Sequence, residues 1–286
     1  MNYTFYTGYI EMLGRDGVRS TAEYAKKLGF SSVEVLETTG EGHPRVIGDT
    51  ETANTTRRTL AEYGLTTACY SVGCNLYASD DAERSLMRHA ELAAALDCPY
   101  LHHTLKCGLV RGANDPSMDE VLDDVTTRAI RVANYAKTLG VTCIYEDQGV
   151  YANGIEHFGR FYREVHRVCD NTGVCGDFGN ILFVDEDPAA FLSAFAADIR
   201  HVHVKDYLRK TFSGPVPTGG WYPTLHGQYL RDTTVGAGII DIAACMKVLH
   251  DAGYRGAYAL ELCHPEPFDE GVRIAMQYMD AVEKML

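Results

Sequence analysis

The chain has 286 residues, 46% of them apolar, with 26 basic against 39 acidic side chains and a formal net charge of −13. That length and apolar content can bury a large core, whereas the negative charge argues against a nucleic-acid partner, whose phosphates need clustered Lys and Arg. No apolar run reaches the ~18 residues of a membrane span, and the start "MNYTFYTGYIEM" lacks a signal peptide's basic and apolar regions, so the chain is expected to be soluble and cytoplasmic, with no membrane partner.

In chain order, β-like runs occur at "YTFYTG" (3–8), "SSVEVLE" (31–37), "LTTACYS" (65–71), "PYLHHTL" (99–105), "VTCIYED" (141–147), "GVCGDFG" (173–179), "IRHVHVKD" (199–206) and "GAYALEL" (256–262), with a helical pattern after each. Eight strands alternating with helices imply a parallel sheet, and eight is the number that closes a (β/α)8 barrel, here a single α/β domain over 1–286. Four connections, "AKKLGFSSVEV", "LAEYGLTTACY", "AKTLGVTCIYE" and "LHDAGYRGAYALEL", place a glycine between a helix end and the next strand, where it closes the helix. The nine cysteines form no CxxC pair and read as small buried apolar groups of a reducing compartment.

One connection breaks the rhythm. After the seventh strand, residues 207–236 are rich in Gly, Pro and aromatics and read as a long lid loop over the C-terminal face, where barrel active sites lie; it carries Trp221 and His226. The "VGAG" at 235–238 offers backbone N–H groups ahead of a helix, for an anion or simply for the turn.

Strand alternation decides which polar groups point inward. Val33 and Val35 belong against the helices, which turns Glu34 inward; Val202 and Val204 do the same for His201 and His203. Glu146 goes inward with Thr142 and Ile144, Asp177 shares a face with Cys175, and Glu261 falls in line with Ala257 and Ala259. Four successive strands thus deliver Glu146, Asp177, His203 and Glu261 to one end of the barrel. Three carboxylates in a water-poor mouth repel, and a divalent cation compensates. Oxygen donors with one imidazole favour Mn²⁺, with Mg²⁺, Co²⁺ or Zn²⁺ as alternatives. His201, one layer deeper, is expected either to pair with Glu34 or to serve the core alone. Of His102 and His103, one must face the interior, and His103, nearer the mouth, is expected to contact substrate. Lys205 is a candidate for a substrate oxyanion, with a salt bridge to Asp206 as the plain alternative; His264 and Glu266 lie on the last loop.

These motifs, "YED" with Glu146, "GDFGN" with Asp177, "HVHVKD" with His203, "VGAGIID" and "LEL" with Glu261, resemble those of the xylose isomerase-like TIM barrels, the sugar phosphate isomerase/epimerase superfamily, over essentially the whole chain. The resemblance implies that Glu146, Asp177, His203 and Glu261 bind the metal, that Glu146 and Glu261 form the acid/base pair, and that Arg209 orients a carboxylate. Asn180 stands where the ketose epimerases carry a substrate-binding histidine and is expected to hydrogen-bond a sugar hydroxyl; Ala152 stands where they carry a glutamate. Trp221 is expected to contact the substrate from the lid.

The chemistry implied is proton abstraction next to a carbonyl through an enediolate, giving isomerisation or epimerisation of a small sugar, which is expected to be unphosphorylated. Expulsion of a leaving group from the same intermediate would make a lyase on 3-keto sugars or inososes, of the dehydratase or C-glycoside deglycosidase type. An apurinic endonuclease is disfavoured by the charge and by too few strand-end histidines, and a non-catalytic sugar-binding barrel by the complete metal and acid/base set. The helices of a barrel also allow a homo-oligomer.

Overall fold

A computed structural model describes residues 1–38, 46–77, 80–110, 112, 114–263 and 266–286. Seven strands alternate with helices: β1 (Tyr3–Phe5), β2 (Ser32–Thr38), β3 (Thr66–Gly73), β4 (Tyr100–His103), β5 (Thr142–Glu146), β6 (Thr172–Asp177) and β7 (Ile199–Val204). Three more follow in the long connection, β8 (Asp206–Lys210), β9 (Tyr222–Pro223) and β10 (Tyr229–Thr233), before β11 (Tyr258–Leu260). The helices are α1 (Tyr9–Leu28), α2 (Thr50–Glu62), α3 (Asp80–Ala95), α4 (Met118–Thr138), α5 (Ile155–Val168), α6 (Pro188–Phe195), α7 (Ile242–Asp251) and α8 (Phe268–Glu283). Strands β1 to β7 and β11 form a closed barrel in which every pairing is parallel, as the alternating pattern requires. No helix of the described residues is long and apolar enough to cross a membrane.

Alternation divides the core in two. Val33, Val35, Cys143, Tyr145, Val202 and Val204 pack into the large cluster between barrel and helices, where Tyr145 meets Phe161 of α5 edge-on at 5.1 Å. Inside the barrel, Cys69, Ile144 and Cys175 make a small separate cluster that floors the C-terminal half. Gly29, Gly64, Gly140 and Gly253, the glycines of the four repeated connections, all take positive φ at a helix end.

The connection after β7, read from the sequence as a loop, contains a three-stranded antiparallel sheet in the order β8-β10-β9. Alternating residues such as Tyr207 and Leu230, both buried, give it an inner face, which the Gly and Pro content hid. Its stem is tied by Asp206, whose buried carboxylate accepts from the backbone N–H of Tyr207 (2.8 Å), Gly236 (3.0 Å), Gly238 (2.9 Å) and Ile240 (3.2 Å). Both glycine amides of "VGAG" are therefore occupied by the protein's own anion, and that of Ala237 by Thr234 O. Gly238 is needed for that approach, since a Cβ there would sit 2.1 Å from Asp206 Oδ1. The far end rests on the 3-10 turn after β6, where Leu225 N–H donates to Phe183 O (2.8 Å) and Thr224 Oγ1 to Asp185 (3.0 Å).

Replacing Asp206 with Ala strands four backbone donors, of which those of Tyr207 and Ile240 lie on buried residues, and a buried unpaired donor costs about 1–3 kcal/mol. Asp206→Ala is expected to lower the unfolding free energy by about 3 kcal/mol in denaturant titrations and to speed hydrogen exchange at Gly236 and Gly238; protection equal to wild type would refute the tie.

Candidate metal centre

The site lies where β5, β6, β7 and β11 end. Register places Asp177 and Ala259 beside His203, and Glu146 beside Cys175. A register shift at Val174/Cys175 brings this pairing about, and the backbone N–H of Glu261, donating to Val204 O at 2.9 Å, carries Glu261 just past the end of β11. Glu146, Asp177, His203 and Glu261 each offer one donor atom, all within 4.8 Å of one another. His203 Nδ1 is 2.6 Å from Glu146 Oε1, 3.6 Å from Glu261 Oε2 and 4.0 Å from Asp177 Oδ2.

Asp177 is held by its own loop: Oδ1 accepts from the backbone N–H of Gly179 and Asn180, both at 2.6 Å, while the buried Oδ2 accepts no hydrogen bond. That oxygen, which meets only the Lys205 ammonium at 3.1 Å, and a donor set of three carboxylates around one imidazole nitrogen fit a hard or borderline divalent cation. Two other donor triads share these residues, Glu146–Cys175–His203 and Glu34–His201–His203.

Behind His203 stands Glu34, fully buried in β2. Its Oε2 meets His201 Nε2 at 2.7 Å, and its Oε1 meets His203 Nε2 at 3.0 Å and accepts from Ser71 Oγ at 2.5 Å. Burial opposes the charge of Glu34, but His203 and His201 outweigh it and hold the carboxyl well below its usual range. A carboxylate on Nε2 leaves Nδ1 of His203 turned to the donors, as outer-shell partners of metal-binding histidines do. Glu34 was expected to pair with His201; its reach to His203 as well, and the part of Ser71, were not read. The signal was there, because Ser71 is in phase with the inward Cys69 on β3.

The two histidines of β4 take the opposite sides to those expected. Alternation turns His102 inward, where its ring lies edge-on to His203 at 5.6 Å, and sends His103 outward against Tyr145 at 5.2 Å, with Nδ1 near Thr104 O. Proximity to the strand end misled; the phase of Tyr100 and His102 decides. Burial pushes His103 down to about 4, so it rests neutral in the outer core. Ser71 gives its one proton to Glu34, so at 2.9 Å it accepts from Nδ1–H of His102, and Nε2 is left as a lone pair 3.7 Å from Glu146 Oε2. Burial, with His203 adding to it, keeps His102 well below the usual imidazole range.

The remaining polar residues fall into two groups. Lys205, buried, lies 2.8 Å from Glu261 Oε1 and 3.1 Å from Asp177 Oδ2, and donates to Asn180 Oδ1 at 3.1 Å. Asn180 and Lys205, both expected on the substrate, are thus bound to each other, and Asp206 turns away to the amides described above. Tyr6 stacks on His203 at 4.7 Å. Asp147, fully buried with neither carboxylate oxygen hydrogen-bonded, is pushed well up by burial and then by Asp177 and Glu146. Glu146 is pushed up to about 7, by burial first, against the pull of His203.

Arg209 and Trp221 are not among these contacts. Arg209 is exposed on β8, opposite Leu230, and Trp221 meets Phe212 edge-on at 5.2 Å within the sheet's own aromatic cluster with Tyr229. A cavity of about 360 Å³ on the sheet is lined by Leu208, Arg231 and Asp232 together with Cys263, two residues past Glu261. His226 donates its backbone N–H to Asp185, Thr234 Oγ1 donates to Glu266, and His264 lies outside the described residues.

A family model described as xylose isomerase-like TIM barrel matches residues 22–282. No curated protein matches the chain in sequence. Among solved structures, a xylose isomerase domain protein from Planctomyces limnophilus superposes with a TM-score of 0.72 at 17% identity, covering 100% of this chain and 96% of that one. A D-psicose 3-epimerase from Clostridium cellulolyticum H10, solved with D-tagatose, gives 0.74 at 14% identity, with 99% of each chain covered. The IOLI protein with a zinc atom gives 0.74 at 16%, covering 100% of this chain and 99% of that one. At such identities the likeness is one of fold.

Two outcomes test the centre. Glu34→Gln removes the acceptor behind His203 and is expected to weaken Mn²⁺ binding about 10- to 100-fold in calorimetric titration, with circular dichroism unchanged. Below about pH 7 Glu146 carries a proton that an incoming cation must displace, so Mn²⁺ affinity is expected to rise about tenfold from pH 6 to 8; a flat profile would count against Glu146 as a donor.

Proposed function

The chain belongs to the xylose isomerase-like TIM barrel family, and from that membership together with the four converging donors we propose that it is a divalent-metal-dependent sugar isomerase or epimerase that works by removing a proton next to a carbonyl. The observation that carries the reading is the convergence of Glu146, Asp177, His203 and Glu261 within 4.8 Å at the C-terminal mouth, where barrel enzymes place their chemistry. These four would hold the ion, Mn²⁺ by the chemistry of the donors, with Mg²⁺, Co²⁺ or Zn²⁺ as alternatives. When bound, the ion supplies Lewis-acid polarisation of the carbonyl and offsets the negative charge that develops beside it.

Glu146 and Glu261 are the proposed acid/base pair. A carboxyl that titrates at about 7 takes and returns a proton efficiently near neutral pH, which is how burial suits Glu146 to the task. Glu261 is the most open of the four donors, its side chain 29% exposed, and Lys205 fixes one of its oxygens. His203 is oriented by Glu34 and Tyr6, and the floor of Cys69, Ile144 and Cys175 excludes water from below.

An unphosphorylated substrate is favoured by Asp206, because the amides of Gly236, Gly238 and Ile240 that could cradle a phosphate already serve its carboxylate. A second reading, elimination from a 3-keto sugar or inosose, is favoured by Ala152 and by an Asn180 committed to Lys205, since both positions depart from the epimerase pattern.

The test is incubation of the Mn²⁺-loaded protein with ketoses, inososes and 3-keto glycosides in D₂O. Deuterium is expected at a carbon next to the carbonyl, and Glu146→Gln and Glu261→Gln should each lower its uptake by about 10² to 10⁴ while the barrel stays folded. Wild-type turnover in both variants would sink the mechanism; release of a leaving group would select the lyase.

A further inference from the structure

Lys205 is a buried cation inside a site that should attract one. It sits one alternation beyond His203, and Gly179 makes its path possible, because a Cβ there would lie 2.7 Å from Lys205 Cγ. Three oxygens surround its ammonium: it donates to Asn180 Oδ1 at 3.1 Å and is ion-paired with Glu261 Oε1 at 2.8 Å and Asp177 Oδ2 at 3.1 Å. Two of the three oxygens belong to donors of the candidate metal centre.

We propose that Lys205 is a fixed countercharge of the metal centre, which sets the charge an incoming ion has to balance and holds its affinity down. The inference rests on the four-donor reading above. Three donor carboxylates and one ammonium leave a formal charge of minus two, which a dication cancels. Removing the ammonium leaves minus three and also removes a cation that repels the ion at close range, in a buried place that salt screens poorly. A residue that merely braced its neighbours would act in the other direction, since loosened donors bind an ion less well. The sign of the change separates the two roles.

The experiment is Mn²⁺ titration of the full chain at about pH 8, following free Mn²⁺ by electron paramagnetic resonance, for wild type and for Lys205→Met, Lys205→Gln and Lys205→Arg. Met removes charge and donors, Gln keeps an amide donor, and Arg keeps the charge. Both neutral variants are expected to bind Mn²⁺ at least about tenfold tighter and to release it more slowly to EDTA, while Arg stays within about threefold of wild type. Equal or weaker affinity in the folded neutral variants overturns the proposal, and so does failure of both to fold, which would make the ammonium a brace. If only the Met variant fails, the Gln variant decides. Saturable binding by the wild type with no gain in the neutral variants removes the countercharge alone; no saturable Mn²⁺ binding by the wild type removes the metal centre with it.

Discussion

Glu34 is the constraint on which the mouth of the barrel depends. A carboxylate without any exposure would be costly on its own, yet here it accepts from Ser71 and faces both His201 and His203, so β2, β3 and β7 are joined through one charge. Each of these partners then has its own orientation fixed. His203 must present Nδ1 to the donors, and Ser71, its proton spent, fixes the tautomer of His102 in the same stroke. One buried acid thus decides which nitrogen of two histidines faces the carboxylates at the strand ends.

Above that layer the problem is reversed, because negative charge is in excess. Glu146, Asp177 and Glu261 lie close together with the buried Asp147 near them, and like charges at such range repel. The structure treats them unequally. Asp177 has two backbone donors and an ammonium, Glu261 has the same ammonium and partial access to water, and Glu146 and Asp147 are the two that are pushed upward. Carboxylates of the same kind thus meet different surroundings within a few ångströms.

The closed barrel was legible from the eight runs and their alternation, because a period of two leaves no choice once Val33, Val35, Val202 and Val204 are assigned to the helices. The same rule, applied to "LHHTL", would have turned His102 inward; closeness to the strand end was followed instead, and His103 went to the wrong side. The tie of Asp206 to Gly236, Gly238 and Ile240 spans 30 to 34 positions of chain, and no local pattern announces it. The three-stranded sheet was hidden for a related reason: its strands are two to five residues long and separated by Gly and Pro, so the alternation never runs far enough to be seen.

That sheet is held at both ends, its stem by Asp206 and its tip by Phe183 and Asp185 on the turn that follows Asp177. The turn begins at Asn180, whose side chain meets Lys205 and whose backbone N–H meets Asp177, so the tip of the sheet is linked through about one helical turn to a metal donor. Leu208, Arg231 and Asp232 line one cavity with Cys263, two residues past Glu261, and Phe212 packs edge-on against both Trp221 and Tyr229 within the sheet.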